Sequence, residues 1–155
     1  MRRVHALAGL SPKEWVILAE ASVLLPATAL AVRTIGFRRW TAYLIKHSPD
    51  PSIPLKDRPS NIVRRKLSIC RIVRAASIRG PFRANCLQHS VVLWWLLRRN
   101  GIESHLRIGA RKQEDVFEAH AWVELEGEAL NDTADVRKRF APFQGELMYT
   151  EAYTQ

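Results

Sequence analysis

One stretch of the chain, residues 85–132, changes from a helical to a strand-like hydrophobic pattern, and this change most restricts the possible folds. Asn85 is a typical N-cap for the apolar run that follows it, and Asn100 with Gly101 forms a typical C-cap. From residue 103 onward apolar and polar residues alternate, which is the pattern of half-buried strands. The sequence therefore predicts an α+β fold, in which this helix packs on a small antiparallel sheet. The strands are predicted at residues 103–110, 117–125 and 128–132.

The turn between the last two predicted strands decides which side chains meet across the sheet. A two-residue turn would require a positive φ at Glu126, so we predict a three-residue loop in which the following glycine takes the left-handed position. That loop pairs Glu124 with Glu128. Counting outward, His120 then lies directly opposite Asp132 on the same face of the sheet. We therefore predict contact between these two side chains.

The N-terminal part of the chain is predicted to be helical. Ser11 and Glu14 form a capping box at the start of one helix, and Pro26 is expected to end or kink that helix. A later helix, capped by Ser60, presents one apolar stripe made of Val63, Leu67, Cys70 and Val73. We expect one domain of three parts, a helical part, a helix with strands and a covering tail, at residues 1–80, 81–135 and 136–155.

The apolar segment at residues 15–32 raises the question of a membrane span or signal peptide, because Arg2 and Arg3 precede it. Glu20 and Pro26 interrupt this segment. A charged residue near the centre of a bilayer costs about 2.5–3.5 kcal/mol. We therefore expect a packed core helix, and contact with a membrane surface stays open.

The chain is strongly basic, with 24 Lys and Arg against 15 Asp and Glu. Such a surface favours acidic partners, although solvated helix faces explain the basic pairs equally well. Aromatic residues are not interleaved with the basic clusters, so nucleic acid is not an expected partner. Cys70 and Cys86 lie in segments of different character, so we expect free thiols and a reducing, cytoplasmic location.

Cys86 falls in the first turn of the best-defined predicted helix, and this position suits a nucleophile. The unpaired amides there and the positive end of the helix dipole favour a thiolate, and the Cys86 amide can donate to an oxyanion. A nucleophilic thiol needs a base, and that base needs a group to orient it. His120 and Asp132 supply these two roles through their predicted contact, so the three residues form a candidate triad.

Other interpretations of these residues have less support. His89 lies three residues after Cys86 on the same helix face, but no carboxylate close to it in sequence would orient it as a base. A zinc site is the other alternative, yet no compact ligand spacing accompanies its candidate ligands Cys86, His89, His105 and His120. We therefore expect neither a metal nor a cofactor. Cys70 is expected to be a packing residue.

These motifs together resemble the transglutaminase-like cysteine protease superfamily, which implies a papain-like core. More narrowly, the chain resembles the stand-alone form of the lasso peptide biosynthesis B proteins, which are leader peptidases. The resemblance is strong over residues 83–132 and is suggestive over the first forty residues. The motifs that carry it are Cys86, Gly101-Ile102, a basic strand at residues 107–112, Ala119-His120-Ala121-Trp122-Val123-Glu124 and Leu130-Asn131-Asp132.

The resemblance implies a role for each residue of the triad and a set of partners. Cys86 would be the nucleophile, His120 the general base and later acid, and Asp132 the orienting group. The implied reaction is hydrolysis, through an acyl-enzyme, of the bond between leader and core in a lasso-peptide precursor, before a separate macrolactam synthetase closes the core. Fused family members carry a leader-recognition domain for which this chain has no room, so a separate small leader-binding protein is an expected partner.

One departure from the papain-like pattern and two other functions stay open. Papain-like relatives often place a Gln before the nucleophile as a second oxyanion donor, and residues 80–84 contain none. The first alternative is another acyl transferase that uses the same triad, of the transglutaminase or arylamine N-acetyltransferase type. The second is a noncatalytic peptide-binding module with the same fold.

Overall fold

The computed structural model describes residues 9–48, 59–113 and 115–143. The helices are α1 (Pro12–Thr34), α2 (Phe37–Lys46), α3 (Pro59–Arg79), α4 (Cys86–Arg99) and the short α5 (Val136–Arg139). The strands are β1 (His105–Gln113), β2 (Val116–Leu125), β3 (Glu128–Ala129) and β4 (Ala141–Pro142). They form an antiparallel sheet in the order β3-β2-β1-β4. The predicted α+β class is confirmed.

Helix α1 begins where the sequence predicts but does not end at Pro26. Ser11 Oγ accepts a hydrogen bond from the Glu14 amide, and Glu14 Oε2 accepts one from the Ser11 amide. The helix continues through Pro26 because Leu25 and Thr28, on either side of it, are buried in the fold. This packing offsets the hydrogen bond that a proline removes. The prediction that the helix ends at Pro26 was wrong because it considered the proline alone.

Helix α1 is also long and apolar enough to cross a membrane, and no other helix in the described ranges meets that criterion. In the structure, 28% of its most apolar window is buried. Ile17, Ala21 and Leu25 provide much of this burial by packing in the core that α1 shares with α3 and α4. Core helices and signal sequences meet the same criterion of length and hydropathy.

Helix α3 buries only half of the predicted stripe, because Val73 is buried and Cys70 packs against the core as expected, while the other two residues do not. Val63 and Leu67 are 51% and 60% exposed. The side chains of α3 that pack in the core are Ile69, Ile72, Val73 and Ala76. The sequence offers two overlapping apolar faces on this helix, and simultaneous contact with α1 and α4 selects the face that carries the isoleucines.

The two faces of the sheet have different coverings. On one face Leu106 and Val123 join the core that includes α4, whose residues 91–97 are all buried. The opposite face carries Trp122, which packs with Val136 and Phe140. The chain that follows β3 therefore lies over this second face. The rest of the predicted tail, residues 144–155, lies outside the described residues.

The hairpin between β2 and β3 differs from the prediction by one residue. Glu126 and Gly127 have positive φ values of 51° and 85°, so the turn has two residues. Glu124 therefore pairs with Ala129 and not with Glu128. A turn with two positive φ values matches the twist of the flanking strands, and this match outweighs the local strain at a glutamate. The predicted loop and register were wrong.

Candidate active site

Cys86 is the first residue of α4, as the sequence predicts. Asn85 caps this helix. Its Oδ1 accepts a hydrogen bond from the backbone amide of Gln88 at 2.9 Å, and the backbone amide of Asn85 donates to Gln88 Oε1 at 3.0 Å. Within the described part of the chain, no hydrogen bond engages the amides of Cys86 and Leu87. These two N–H groups therefore have the capacity to bind an oxyanion at the start of the helix.

His120 and Asp132 are in contact, although not through the predicted cross-strand pair. His120 Nε2 lies 2.5 Å from Asp132 Oδ2. The chain leaves the sheet after β3, and two hydrogen bonds of 2.8 Å hold it against β2, from the Leu130 amide to the Val123 carbonyl and from the Val123 amide to Asn131 Oδ1. The next residue along the chain is Asp132. The register predicted for β3 was wrong, but the contact still forms because Asp132 lies in an irregular segment beyond the strand.

The surroundings of Asp132 keep its carboxylate ionised. Its Oδ1 accepts hydrogen bonds from the Thr133 amide at 2.7 Å and from Arg139 Nη2 at 2.5 Å. Burial alone would raise the pKa of Asp132, but the hydrogen bonds from His120, Thr133 and Arg139 lower that pKa below its usual value. A carboxylate that holds Nε2 leaves Nδ1 of the imidazole for proton transfer.

Ser90 connects α4 to β2 close to His120. Its Oγ donates to the Ala121 carbonyl at 2.9 Å and accepts from Asn131 Nδ2 at 2.9 Å. Ser90 lies one helical turn after Cys86, and residues four apart share a helix face. Cys86 therefore lies on the side of α4 that faces β2. The signal in the sequence that could have revealed this link is a hydroxyl directly before the apolar run at residues 91–97.

Two aromatic rings lie against His120 on the outer face of the sheet. The Phe140 ring centroid is 4.8 Å from that of the imidazole, and the Trp122 centroid is 6.2 Å away. The guanidinium of Arg139, which also contacts Asp132, lies 5.5 Å from the centre of the Phe140 ring. Neither Phe140 nor Arg139 was expected here from the sequence. The available signal was an aromatic residue at the end of a basic run.

The rival candidates lack the kind of partners found around His120. Among the described residues His89 Nε2 is buried without a hydrogen-bond partner, and burial, followed by the charge of Arg74, lowers the pKa of His89. Cys70 and Cys86 are both free thiols, and burial raises the pKa of Cys70. In the described ranges no three His, Cys, Asp or Glu side chains come together in a group that could hold a metal ion.

Comparison with known proteins gives one family and one curated relative of note. The sequence profile of the transglutaminase-like superfamily matches residues 23–144. The chain is 32% identical over 81 residues to the microcin J25-processing protein McjB of Escherichia coli. That alignment covers 52% of this chain and 36% of McjB. No solved structure matches the chain.

Proposed function

The chain belongs to the transglutaminase-like superfamily, and we propose that it is a cysteine peptidase that removes the leader from a lasso-peptide precursor. The observation that carries the proposal is the 2.5 Å contact between His120 Nε2 and Asp132 Oδ2, on a strand that packs against the helix beginning at Cys86. A histidine held by a carboxylate at one ring nitrogen is oriented to act as a base with the other. Cys86 is the nucleophile, His120 the base and Asp132 the orienting group.

In the acylation step, His120 Nδ1 takes the proton of the Cys86 thiol, and the thiolate attacks the carbonyl carbon of the bond that joins leader and core. The amides of Cys86 and Leu87 stabilise the oxyanion of the tetrahedral intermediate. The imidazolium then gives its proton to the leaving nitrogen, and the carbon–nitrogen bond breaks. The leader remains attached to Cys86 as a thioester, and the core leaves with a new N-terminal amine.

In the deacylation step, water replaces the core peptide in the site. His120 removes a proton from the water as its oxygen attacks the thioester carbon, and the carbon–sulfur bond breaks. The leader departs with a new carboxylate, and the imidazolium returns its proton to the thiolate of Cys86. The amine on the core is then available to a separate macrolactam synthetase.

The class of substrate rests on the relative McjB, whose name describes the processing of microcin J25. We propose that this chain acts in the cytoplasm on a precursor peptide, together with a separate small leader-binding protein. The net charge of +9 suits docking with an acidic leader or an acidic partner protein.

The test is cleavage of the lasso precursor encoded nearest to the gene for this chain, with and without the leader-binding protein encoded there, followed by mass spectrometry. We expect two fragments whose masses add to that of the precursor plus one water. Cys86→Ala and His120→Ala should each lower the cleavage rate by about 10³-fold or more. Cys70→Ala is the matched control, because it removes the other free thiol, and it should cleave at the wild-type rate.

Two outcomes would overturn the proposal. An adduct of the peptide with an amine or another acceptor, in place of cut products, would identify an acyl transferase. Binding of the precursor without turnover, unchanged by Cys86→Ala, would identify a noncatalytic peptide-binding module.

A further inference from the structure

Residues 136–140 are here called the clamp segment, and two of them, Arg139 and Phe140, contact the His120–Asp132 pair on the outer face of the sheet. Phe140 is 2% exposed, and its ring centroid lies 4.8 Å from that of the His120 imidazole, with 27° between the ring planes. Arg139 Nη2 donates to Asp132 Oδ1 at 2.5 Å, the oxygen that His120 does not use. The clamp segment therefore contacts both members of the pair.

A buried carboxylate anchors the clamp segment on the sheet. Glu124 is 2% exposed and accepts hydrogen bonds from Arg137 Nε of the clamp segment at 2.6 Å, from Trp122 Nε1 at 2.7 Å and from Arg107 Nε at 3.2 Å. Burial raises the pKa of Glu124, but these hydrogen bonds outweigh it and bring the pKa to about 2. A buried charge of this kind persists only where it is well paired. Loss of Arg137 would therefore loosen the clamp segment.

Strand β4 follows the clamp segment directly and fixes its other end by pairing with β1. Gly109 of β1 lies opposite His120 in the register of the sheet. A Cβ at this glycine would come within 2.8 Å of the Ala141 carbonyl oxygen and 2.9 Å of the Trp122 ring. The missing side chain therefore leaves room beside His120 for the Ala141 backbone and the Trp122 ring.

We propose that the clamp segment positions the His120–Asp132 pair for proton transfer, with Phe140 and Arg139 as positioning residues and Glu124 as their anchor. This inference rests on the proposed function, because it assigns a role within the same site. The ring of Phe140 restricts the tilt of the imidazole. Arg139 fixes Asp132 Oδ1, so that Oδ2 stays directed at His120 Nε2.

Charged groups reach this region from each element packed there. Helix α4 carries Cys86 at its first residue and His89 three residues later. The charged side chains of β1, β2 and the clamp segment that face the region are Arg107, Arg111, Glu118, Glu124, Arg137 and Arg139. Two of these arginines bind Glu124, and Arg111 binds Glu118 at 2.8 Å. Arg139 contacts Asp132 and also pairs with Asp135, the carboxylate just before the clamp segment, at 3.4 Å.

The test measures the rate at which iodoacetamide alkylates Cys86 in the full chain, from about pH 4 to about pH 9, with the modified residue resolved by mass spectrometry. Cys70 in the same samples is the internal reference. Arg137→Gln removes the ion pair with Glu124, and Phe140→Leu replaces the aromatic ring that stacks on His120. Lys138→Ala is the matched control, because Lys138 is an exposed residue of the same short helix. Thermal unfolding of each variant sets an assay temperature below its transition.

We expect Arg137→Gln and Phe140→Leu each to lower the alkylation rate of Cys86 near pH 6 by roughly tenfold, because a loosely held imidazole is a poorer base. Arg139→Gln should move the acid limb of the profile to higher pH by about half a unit, because Asp132 loses a hydrogen bond that favours its ionised form. Arg139→Lys should return the limb towards the wild-type position, because the ammonium keeps the charge. Lys138→Ala should overlap the wild type.

Two results would overturn the inference, and only the second would also overturn the proposed function. If His120→Ala changes the profile while the Phe140, Arg137 and Arg139 variants overlap the wild type, the clamp segment has no positioning role and the proposed function stands. If His120→Ala leaves the alkylation of Cys86 unchanged, the proposed function fails and the inference fails with it. Should Arg137→Gln not fold, the Phe140 and Arg139 variants decide the question.

Discussion

The two faces of the sheet are held by different kinds of contact, although β2 contributes to both. On the helical face, Leu106 and Val123 join a large apolar core with α1, α3 and α4. The outer face has a small apolar cluster of Trp122, Val136 and Phe140. Hydrogen bonds and ion pairs to two carboxylates complete that outer face, and these are Glu124 and Asp132.

The difference between the faces separates stability from orientation. Apolar burial stabilises a fold roughly in proportion to its area and has no preferred direction. Hydrogen bonds and ion pairs are directional, and each contributes a smaller net free energy. We therefore expect substitutions on the helical face to lower the free energy of unfolding, and substitutions on the outer face to change the reactivity of Cys86 more than the stability.

The largest expected loss of stability comes from Leu93, which is fully buried on α4 in the helical face. Leu93→Ala should lower the free energy of unfolding by about 3–5 kcal/mol, because it removes buried methyl groups and leaves a cavity. Urea denaturation measures this change. Leu30→Ala is the control, because Leu30 of α1 is 65% exposed, and its free energy of unfolding should stay within about 0.5 kcal/mol of the wild-type value. Equal losses at the two leucines would contradict this description of the core.

Ser90 links α4 to β2 and to the segment after β3, and its loss should have an intermediate effect on stability. Ser90→Ala removes the hydroxyl that donates to the Ala121 carbonyl and accepts from the side-chain amide of Asn131. Because both groups then lose a hydrogen-bond partner, the free energy of unfolding, measured in urea, should fall by about 1–3 kcal/mol. Ser77→Ala is the matched control, because the buried Ser77 hydroxyl donates to the Val73 carbonyl of its own helix. This second loss should stay below about 1 kcal/mol. If the two serines behaved alike, Ser90 would not be a tie between α4 and the sheet.

Acid should produce the smallest effect, a graded loss of stability from carboxylates in both regions. Hydrogen bonds from Ser68 and Ser11 lower the pKa of Glu14 to about 2, and the pKa of Glu124 is also about 2 because its hydrogen bonds outweigh its burial. Both values lie below the ordinary value of 4.5. The stabilisation is therefore complete above pH 4.5 and is lost as the pH falls towards about 2.

The two carboxylates should differ in what else they affect. Glu14→Gln should flatten the fall in thermal unfolding midpoint between about pH 5 and about pH 3 and leave Cys86 alkylation unchanged. Glu124→Gln should flatten the same fall and also slow the alkylation, because Glu124 anchors the clamp segment. Slower alkylation in the Glu14 variant, with no change in the Glu124 variant, would reverse the comparison between the two faces.

Features that depend on neighbours in sequence were predictable, and features that depend on packing were not. The caps at Ser11 and Asn85 act within one helical turn, so the starts of α1 and α4 were predicted correctly. The passage of α1 through Pro26 depends on the packing of distant residues. The same is true of the buried stripe of α3, which two other helices select.

At the candidate site, one contact was more predictable than the strand register that was used to derive it. The sequence indicated contact between His120 and Asp132, but the register used to derive it was wrong by one residue. The local penalty for a positive φ at Glu126 does not reveal how a hairpin twist compensates for it. Phe140 and Arg139 reach the site only through the path of the chain after β3, so no pattern in nearby sequence placed them there.

The claim that Cys86, His120 and Asp132 form a catalytic unit is tested most directly by the intact mass of the protein after brief mixing with the precursor and quenching in acid. We predict an added mass on Cys86 equal to that of the leader less one water, which is the thioester intermediate. His120→Ala should not accumulate this species, and Cys70→Ala should form it as the wild type does. Cleavage of the precursor that persists in Cys86→Ala would contradict the claim.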